Sequence, residues 1–238
     1  MISATIMICS YNGALSLETS LNSAIEQTLS QEHYEILFLD DGSTDNTTDI
    51  IKPYLAEHPN IRYLFSAQNM GLQESCNWGV EQANGECIIR LDVDDKFSHE
   101  ILERMLSPIL EGSTDLVYSD RYEVSQDGTI VFVPIQRFSP FQLIAAGTMF
   151  RLSSMRNLGG YRKVFWEEYD LYLRYLQSGY PDPIHIPHPL YYYFRHNTSM
   201  TANSNNVSNG WQELLNIWGE STLINHGWTG SFQEGTYL

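Results

Sequence analysis

Residues 91–95 read Leu91-Asp92-Val93-Asp94-Asp95, three carboxylates in four positions, directly behind the apolar run Cys87-Ile88-Ile89. Such a run is a buried strand, so the acidic cluster sits where a strand leaves the core. In extended chain Asp92 and Asp94 point to the same side. Like charges held this close repel, and a fold tolerates them best with a cation between them. A hard divalent ion, Mn2+ or Mg2+, is the natural candidate; Mg2+ in particular is held by one or two carboxylates together with substrate phosphates. An isolated Asp-x-Asp, being short, reads more plainly as a solvated acidic turn. The company this one keeps decides the matter.

Upstream, residues 4–9 (Ala-Thr-Ile-Met-Ile-Cys) form another apolar run, stopped by the turn chemistry of Ser10-Tyr11-Asn12-Gly13. Leu17, Leu21, Ile25 and Leu29 recur at helical spacing. Residues 35–39 predict a second strand, ending in Asp40-Asp41-Gly42-Ser43-Thr44-Asp45. Ser43 or Thr44 is expected to cap the following helix, with Asp45 in its first turn, and His58-Pro59 to close it. A third strand over 61–65, a helix over 71–83 stopped by Asn84-Gly85, a helix over 101–109 capped by Ser98 and a strand over 116–119 complete a strand–helix alternation. That alternation predicts an α/β fold: a mostly parallel, Rossmann-like central sheet flanked by helices on both faces. Ligands of such sheets bind outside the carboxyl ends of the strands. Tyr11, Asp41 and the 92–95 cluster all fall there, and this convergence of separate loops is what favours a site over scattered acidic turns.

After residue 120 the rhythm changes to a mixed α+β pattern. Asp127-Gly128 between two β-rich runs predicts a hairpin, 147–152 a strand, Gly159-Gly160-Tyr161 a flexible turn and 168–177 a helix. Four prolines at 181, 183, 187 and 189 punctuate short extended pieces before a strand over 190–194. Residues 203–209 read as a polar, mobile stretch, and Trp211, Leu214, Leu215 and Trp218 as a last amphipathic helix. The tail from Trp228 carries no pattern.

The chain has 238 residues, 42% of them hydrophobic, and a formal net charge of −16. That is enough for a sizeable core, and the acidity excludes a general nucleic-acid surface. Cys9, Cys76 and Cys87 are scattered and odd in number, reading as small buried residues in a reducing compartment. No run approaches the roughly 18–20 apolar residues of a transmembrane segment, and the N-terminus enters a strand without a secretory signal. The expectation is a cytoplasmic protein, and the sequons at Asn46, Asn197 and Asn206 read as chance matches. The last helix could pack on the core, on a second copy as a homo-oligomer, or on a membrane surface; the acidic balance disfavours the membrane.

Taken together, Cys9-Ser10-Tyr11-Asn12, Leu39-Asp40-Asp41-Gly42-Ser43-Thr44-Asp45, Asn69-Met70-Gly71-Leu72, Asn77, Gly85, Leu91-Asp92-Val93-Asp94-Asp95 and Glu167-Glu168-Tyr169-Asp170-Leu171-Tyr172-Leu173-Arg174 resemble, in order and spacing, the inverting glycosyltransferases of family 2, which have the GT-A fold. The resemblance covers residues 3 to about 197. It implies a nucleotide-sugar (donor) half over 1–120, an acceptor-side half of the same domain over 121–200, and a C-terminal helical extension over 201–238. It implies transfer of a sugar from a nucleoside-diphosphate donor to an acceptor hydroxyl of a saccharide or glycoconjugate, with inversion, in polysaccharide or glycoconjugate biosynthesis.

The site residues follow from that resemblance. Tyr11, between Ser10 and Asn12, would stack on the base; Asp41 would accept its imide N–H, which favours a UDP or dTDP donor. Asp92, Asp94 and Asp95 match the cluster that holds Mn2+ or Mg2+ and the ribose–diphosphate, with the division of labour open. Arg90 shares a strand face with Asp92 and either touches the diphosphate or, better supported, pairs with that Asp. Glu168 stands where the family more often has Asp as the base, with Glu167 and Asp170 as alternatives; favourable charge at a helix N-terminus accounts for one or two of the three. His196 is a candidate metal or diphosphate contact, although a lone His among aromatics is more often structural. Cys76 stands where many relatives carry Arg. Gly159-Gly160-Tyr161 and Trp166 either shape the acceptor pocket or pack in the core. The competing readings are a catalytically inactive sugar-nucleotide binding module, kept open by Glu168 and Cys76, and a nucleotidyltransferase, which would want a basic Gly-rich loop after the first strand.

Overall fold

The computed structural model describes residues 1–135, 138–196 and 203–229. Alternating side chains on the first strand explain the layering. In β1 (Ala4–Ser10), Met7 and Cys9 join one buried cluster while Ile6 and Ile8 join another on the opposite face. The same division runs through β2 (Tyr34–Asp40), where Leu37 and Leu39 oppose Ile36 and Phe38. A strand apolar on both sides must be covered on both sides. Three helices, α1 (Leu17–Ile25), α2 (Thr47–Glu57) and α4 (Ile101–Leu110), cover one face. The other is covered by α3 (Leu72–Gln82), α5 (Leu152–Asn157), α6 (Glu167–Gln177), α7 (Ser204–Trp218) and α8 (Glu220–Asn225).

The remaining strands are β3 (Ile61–Phe65), β4 (Cys87–Asp92), β5 (Lys96–Phe97), β6 (Leu116–Val124), β7 (Ile130–Val133), β8 (Thr148–Arg151) and β9 (Ile184–Phe194). They form one sheet in the order β3-β2-β1-β4-β8-β6-β9-β5, with β7 paired to β6. From the pairings, β1, β2, β3, β4, β6 and β9 run one way and β5, β7 and β8 the other. The expected mostly parallel sheet is therefore observed, with the three antiparallel strands all following β4 in the chain. The 127–128 hairpin is also observed, closing the β6–β7 ladder at Val124 and Ile130.

Five local expectations are corrected. Helix α2 begins only at Thr47, so Ser43 and Thr44 do not cap it; Asp45 Oδ1 accepts the Thr47 N–H (3.0 Å) from outside the helix. Helix α4 is flanked by Glu100, not Ser98. Residues 147–152 divide into the short β8 and the start of α5, which the sequence reading missed. Strand β9 continues through Pro187 and Pro189 because its register on β6 shifts at Asp120, and prolines are tolerated at such an irregularity. Residues 203–209 are not a mobile loop: the Asn203 side chain accepts the N–H groups of Asn205 and Asn206 and caps α7. Helix α7 packs on the core through Trp211 and Leu214, and Trp218 Nε1 donates to Asp170. Residues 197–202 and 230–238, with the Asn197 sequon and most of the tail, lie outside the described residues.

Gly85 shows why the turn into β4 needs a glycine. A Cβ there would lie 2.5 Å from the Ala4 carbonyl carbon and the Thr5 nitrogen, both β1 backbone. Gly79 on α3 is just as crowded, but against the flexible Met7 Sδ (2.4 Å). We expect Gly85→Ala to cost about 2–3 kcal/mol in urea unfolding, as overpacking against a part that cannot yield does. Gly79→Ala should cost clearly less, because a thioether end can move aside.

Candidate active site

Strands β1, β2 and β4 lie side by side in parallel, with Ser10 opposite Asp40 and Cys9 opposite Asp92. Their carboxyl ends therefore deliver the first three motifs to one edge. The loops after β1 and β2 are stapled to each other. Ser43 Oγ accepts the Asn12 N–H (2.9 Å), Asn12 Oδ1 accepts the Thr44 N–H (2.8 Å), and Asp45 Oδ2 accepts the Ala14 N–H (3.0 Å). Asn12 sits in the left-handed region at φ 55°, which its short polar side chain tolerates. Tyr11 is left 51% exposed on this edge, and the buried Ser10 Oγ has no protein partner among the described residues. Asp41 Oδ1 and Oδ2 accept the N–H groups of Met70 (2.8 Å) and Gly71 (2.9 Å), fixing the loop before α3. Asp40 holds its own turn through Ser43 and reaches Tyr63.

The three carboxylates of 92–95 have three different environments. Asp92 Oδ1 accepts from Arg90 Nε at 2.6 Å, so Arg90 pairs with this Asp. Asp95 is buried, accepting from Tyr191 Oη and from the Phe194 N–H (2.7 Å). Burial, reinforced by the charges of Asp92 and Asp94, pushes its carboxyl well above the usual carboxylate range. It ties the turn to β9. Asp94 is 38% exposed, and its Oδ2 lies 2.5 Å from Nε2 of His196. The two Asp94 and His196 side chains thus meet across 102 residues of sequence.

The acidic start of α6 is divided in the same way. Glu167 is buried; Oε1 accepts from Arg90 Nη1 (3.1 Å) and Oε2 from Gln73 Nε2 (3.4 Å). Asp170 is fully buried and accepts from Arg174, Arg162 and Trp218. Glu168 makes no side-chain hydrogen bond or ion pair with another residue among those described. Burial, then the Glu167 charge, raises its carboxyl from the usual range to about 8.

Two clefts of about 260 Å³ each meet at this helix. The first is lined by Asp92, Asp94, Asp95, Glu167 and Glu168. The second is lined by Arg121, Glu123, Phe141, Tyr169 and Arg195. Glu168, Trp166, Ile144 and Tyr193 belong to both. Cys76 is buried against Cys9, with 3.5 Å between sulfurs, beneath the first cleft. The expected flexible turn at 159–161 is pinned: Asn77 Oδ1 accepts the Tyr161 N–H (2.7 Å) and Nδ2 donates to its carbonyl (2.8 Å). Sequence reasoning missed Ile144 and Tyr193 in the shared wall. Their signal is weak, an apolar residue in an irregular stretch and one tyrosine of an aromatic strand.

Residues 5–180 match Glycosyl transferase family 2. The chain belongs to that family. A cholesterol galactosyltransferase of Borreliella burgdorferi is 34% identical over 118 residues, which cover 50% of this chain and 32% of that relative. The family 2 chain thus spans about a third of the length of this relative. Two solved structures share the fold. Staphylococcus aureus TarS 1-349 in complex with UDP-GlcNAc has a TM-score of 0.75 at 18% identity, covering 94% of this chain and 71% of that one. The mannosyltransferase PcManGT of Pyrobaculum calidifontis, in complex with GDP-Man and Mn2+, has a TM-score of 0.72 at 16% identity, covering 94% and 65%. The fold of this family 2 chain is accordingly GT-A. No helix among its described residues is long and apolar enough to cross a membrane.

Arg90, itself buried, joins Asp92 on β4 to Glu167 on α6. Removing one partner of a buried ion exposes the other to an uncompensated desolvation cost. We expect Glu167→Ala to lower unfolding free energy by about 3 kcal/mol, the low end of that range because Asp92 remains. Glu168→Gln, which breaks no side-chain bond, should shift the urea midpoint far less.

Proposed function

We propose that the protein transfers a sugar from a UDP- or dTDP-sugar to a hydroxyl of a saccharide or glycoconjugate acceptor, with inversion and with a divalent metal, in polysaccharide or glycoconjugate assembly. What carries this reading is a carboxylate with no side-chain partner among the described residues, Glu168, in the wall common to the two clefts. The cleft ending in Asp92 and Asp94 would take the donor, and the neighbouring one the acceptor. An acceptor hydroxyl between them would lose its proton to Glu168 as its oxygen bonds the anomeric carbon and the bond to the diphosphate breaks on the opposite side. A carboxylate raised toward neutrality is suited to that task. Glu167 and Asp170 are already committed to arginines and serve as positioning residues.

On the donor side, Tyr11 offers an exposed ring for the base. Each Asp41 oxygen accepts one backbone N–H and keeps a second lone pair, which the N3–H of uracil or thymine would meet. Asp94 and His196 are the residues to hold Mn2+ or Mg2+: a carboxylate oxygen and an imidazole nitrogen already side by side. Among the described residues no three His, Cys, Asp or Glu side chains form a closed cage, which suits an ion completed by substrate phosphates. Such an ion would offset the charge on the departing diphosphate. Asp92, held by Arg90, and Asp95, held by Tyr191 and Phe194, shape the cleft around Asp94.

The deciding experiment is calorimetric titration of UDP, dTDP and GDP with Mn2+ and then with EDTA. Binding of UDP or dTDP that needs the metal and disappears in Asp94→Ala is the expected result; no binding of any of the three defeats the reading. Once a donor is found, Glu168→Gln should lower kcat by about 10²–10⁴-fold while UDP still binds. The pH profile has a definite sign. The Glu168 carboxyl is raised to about 8, so its basic form is lost as pH falls through that value, and kcat/KM should drop about tenfold per unit below it. A profile flat from pH 6 to 9 would remove Glu168 as the base.

A further inference from the structure

The second cleft concentrates cations in a chain that has few. Of 13 Lys and Arg residues set against 29 Asp and Glu, Arg121 and Arg195 both line it. They reach it from adjoining strands: Arg121 lies on β6, and Arg195 follows β9 and donates its N–H to the Val124 carbonyl (2.9 Å). Between them sits buried Glu123. Its Oε1 accepts from Arg121 Nε (3.1 Å) and Nη2 (2.8 Å), and its Oε2 from Arg195 Nε (2.6 Å). One carboxylate therefore answers two guanidinium groups. Arg121 spends Nη1 on the Gln142 carbonyl (3.0 Å). The Arg195 Nη groups have no acceptor among the described residues, and the side chain is 35% exposed with its guanidinium 5.6 Å from the centre of the Tyr193 ring. The Arg121–Glu123–Arg195 cluster thus carries one more guanidinium than carboxylate, inside a protein of net charge −16. The indole N–H of Trp166, which lines the same cleft, is also buried without an acceptor among the described residues.

A fixed guanidinium pair with spare N–H groups recognises carboxylate or phosphate oxygens, and the aromatic wall of Tyr169 and Phe141 suits the apolar face of a sugar ring. We propose that the acceptor carries an anionic substituent, a carboxylate or a phosphate, and that Arg195, oriented through Glu123 by Arg121, is the residue that selects for it. This rests on reading the second cleft as the acceptor side. A neutral acceptor would leave the spare charge of Arg195 unanswered, and the overall acidity of the chain would otherwise repel an anionic one.

The test is direct binding to the full chain in the presence of Mn2+ and UDP, by saturation-transfer NMR and calorimetry. The probes are methyl β-glucuronide, glucose 6-phosphate and neutral methyl β-glucoside. At least one anionic probe should bind about tenfold more tightly than the neutral one. Arg195→Gln should erase that preference, and Arg195→Lys should restore part of it. Which anionic probe wins separates a uronate from a phosphate acceptor. UDP titration of the same samples checks that each variant is folded and keeps the two readings apart. If UDP binds but neither anionic probe does, or the preference survives Arg195→Gln, this inference fails and the proposed function stands. If UDP itself does not bind, the proposed function fails first.

Discussion

A buried guanidinium ties the end of β4 to the start of α6. Arg90, near the end of β4, is 6% exposed and lies between Asp92 on its own strand and Glu167 at the start of α6. Burial alone would disfavour its charge, and the carboxylates of Asp92 and Glu167 beside it more than restore it. A charge so placed is costly unless both partners are present. The chain thereby couples the parallel half of the sheet, which carries the 92–95 turn, to the helix that presents Glu168. The residue adjoining Glu167 is fixed in direction because Glu167 is pinned.

The same division between committed and available groups recurs across the edge. In the 92–95 turn, Asp92 answers Arg90 and Asp95 answers Tyr191 and Phe194, leaving Asp94 against His196 and solvent. At α6, Glu167 and Asp170 answer arginines and Glu168 answers none. After β2, Asp40 and Asp45 build the turn and staple it to the β1 loop, and Asp41 braces the loop before α3. An acidic site is made rigid by acids already bound to arginine, tyrosine or backbone N–H groups, as a preorganised arrangement requires.

This division is also why the sequence could be read only so far. The buried strands β1, β2 and β4 announce themselves as apolar runs, and the motifs at their ends fall on one edge by topology alone, so the sheet and the place of the site were legible. The role of each carboxylate was not. Asp95 finds its partners 96 and 99 residues away, and Glu167 finds Arg90 77 residues away; no local pattern distinguishes Asp94 from Asp95 or Glu168 from Glu167. The failures in secondary structure have similar causes. Strand β9 runs through two prolines because it bulges opposite Asp120, where Pro187, His188 and Leu190 fall out of the ladder. Helix α7 starts in an asparagine-rich stretch whose composition suggests a loop, although Asn203 is itself a good capping residue and was the signal to follow.

Charge supplies the last link between the fold and its chemistry. Two clefts share a wall but differ in sign: one is lined by Asp92, Asp94 and Glu167 around a single buried arginine, the other by Arg121 and Arg195 around a single buried glutamate. Under the proposed function the acidic cleft would take a cation and, through it, phosphates, and the basic cleft would offer N–H groups to an anion directly. Glu168 lies where the two fields meet, and its protonation is set by burial first and by Glu167 second. Binding of a divalent cation beside Asp94 would draw its proton off, whereas an empty acidic cleft holds it on. The carboxyl would therefore hold its proton more firmly with the donor side empty and be free to accept one once that side is charged, a coupling that follows from the position of one carboxylate between two clefts of opposite sign.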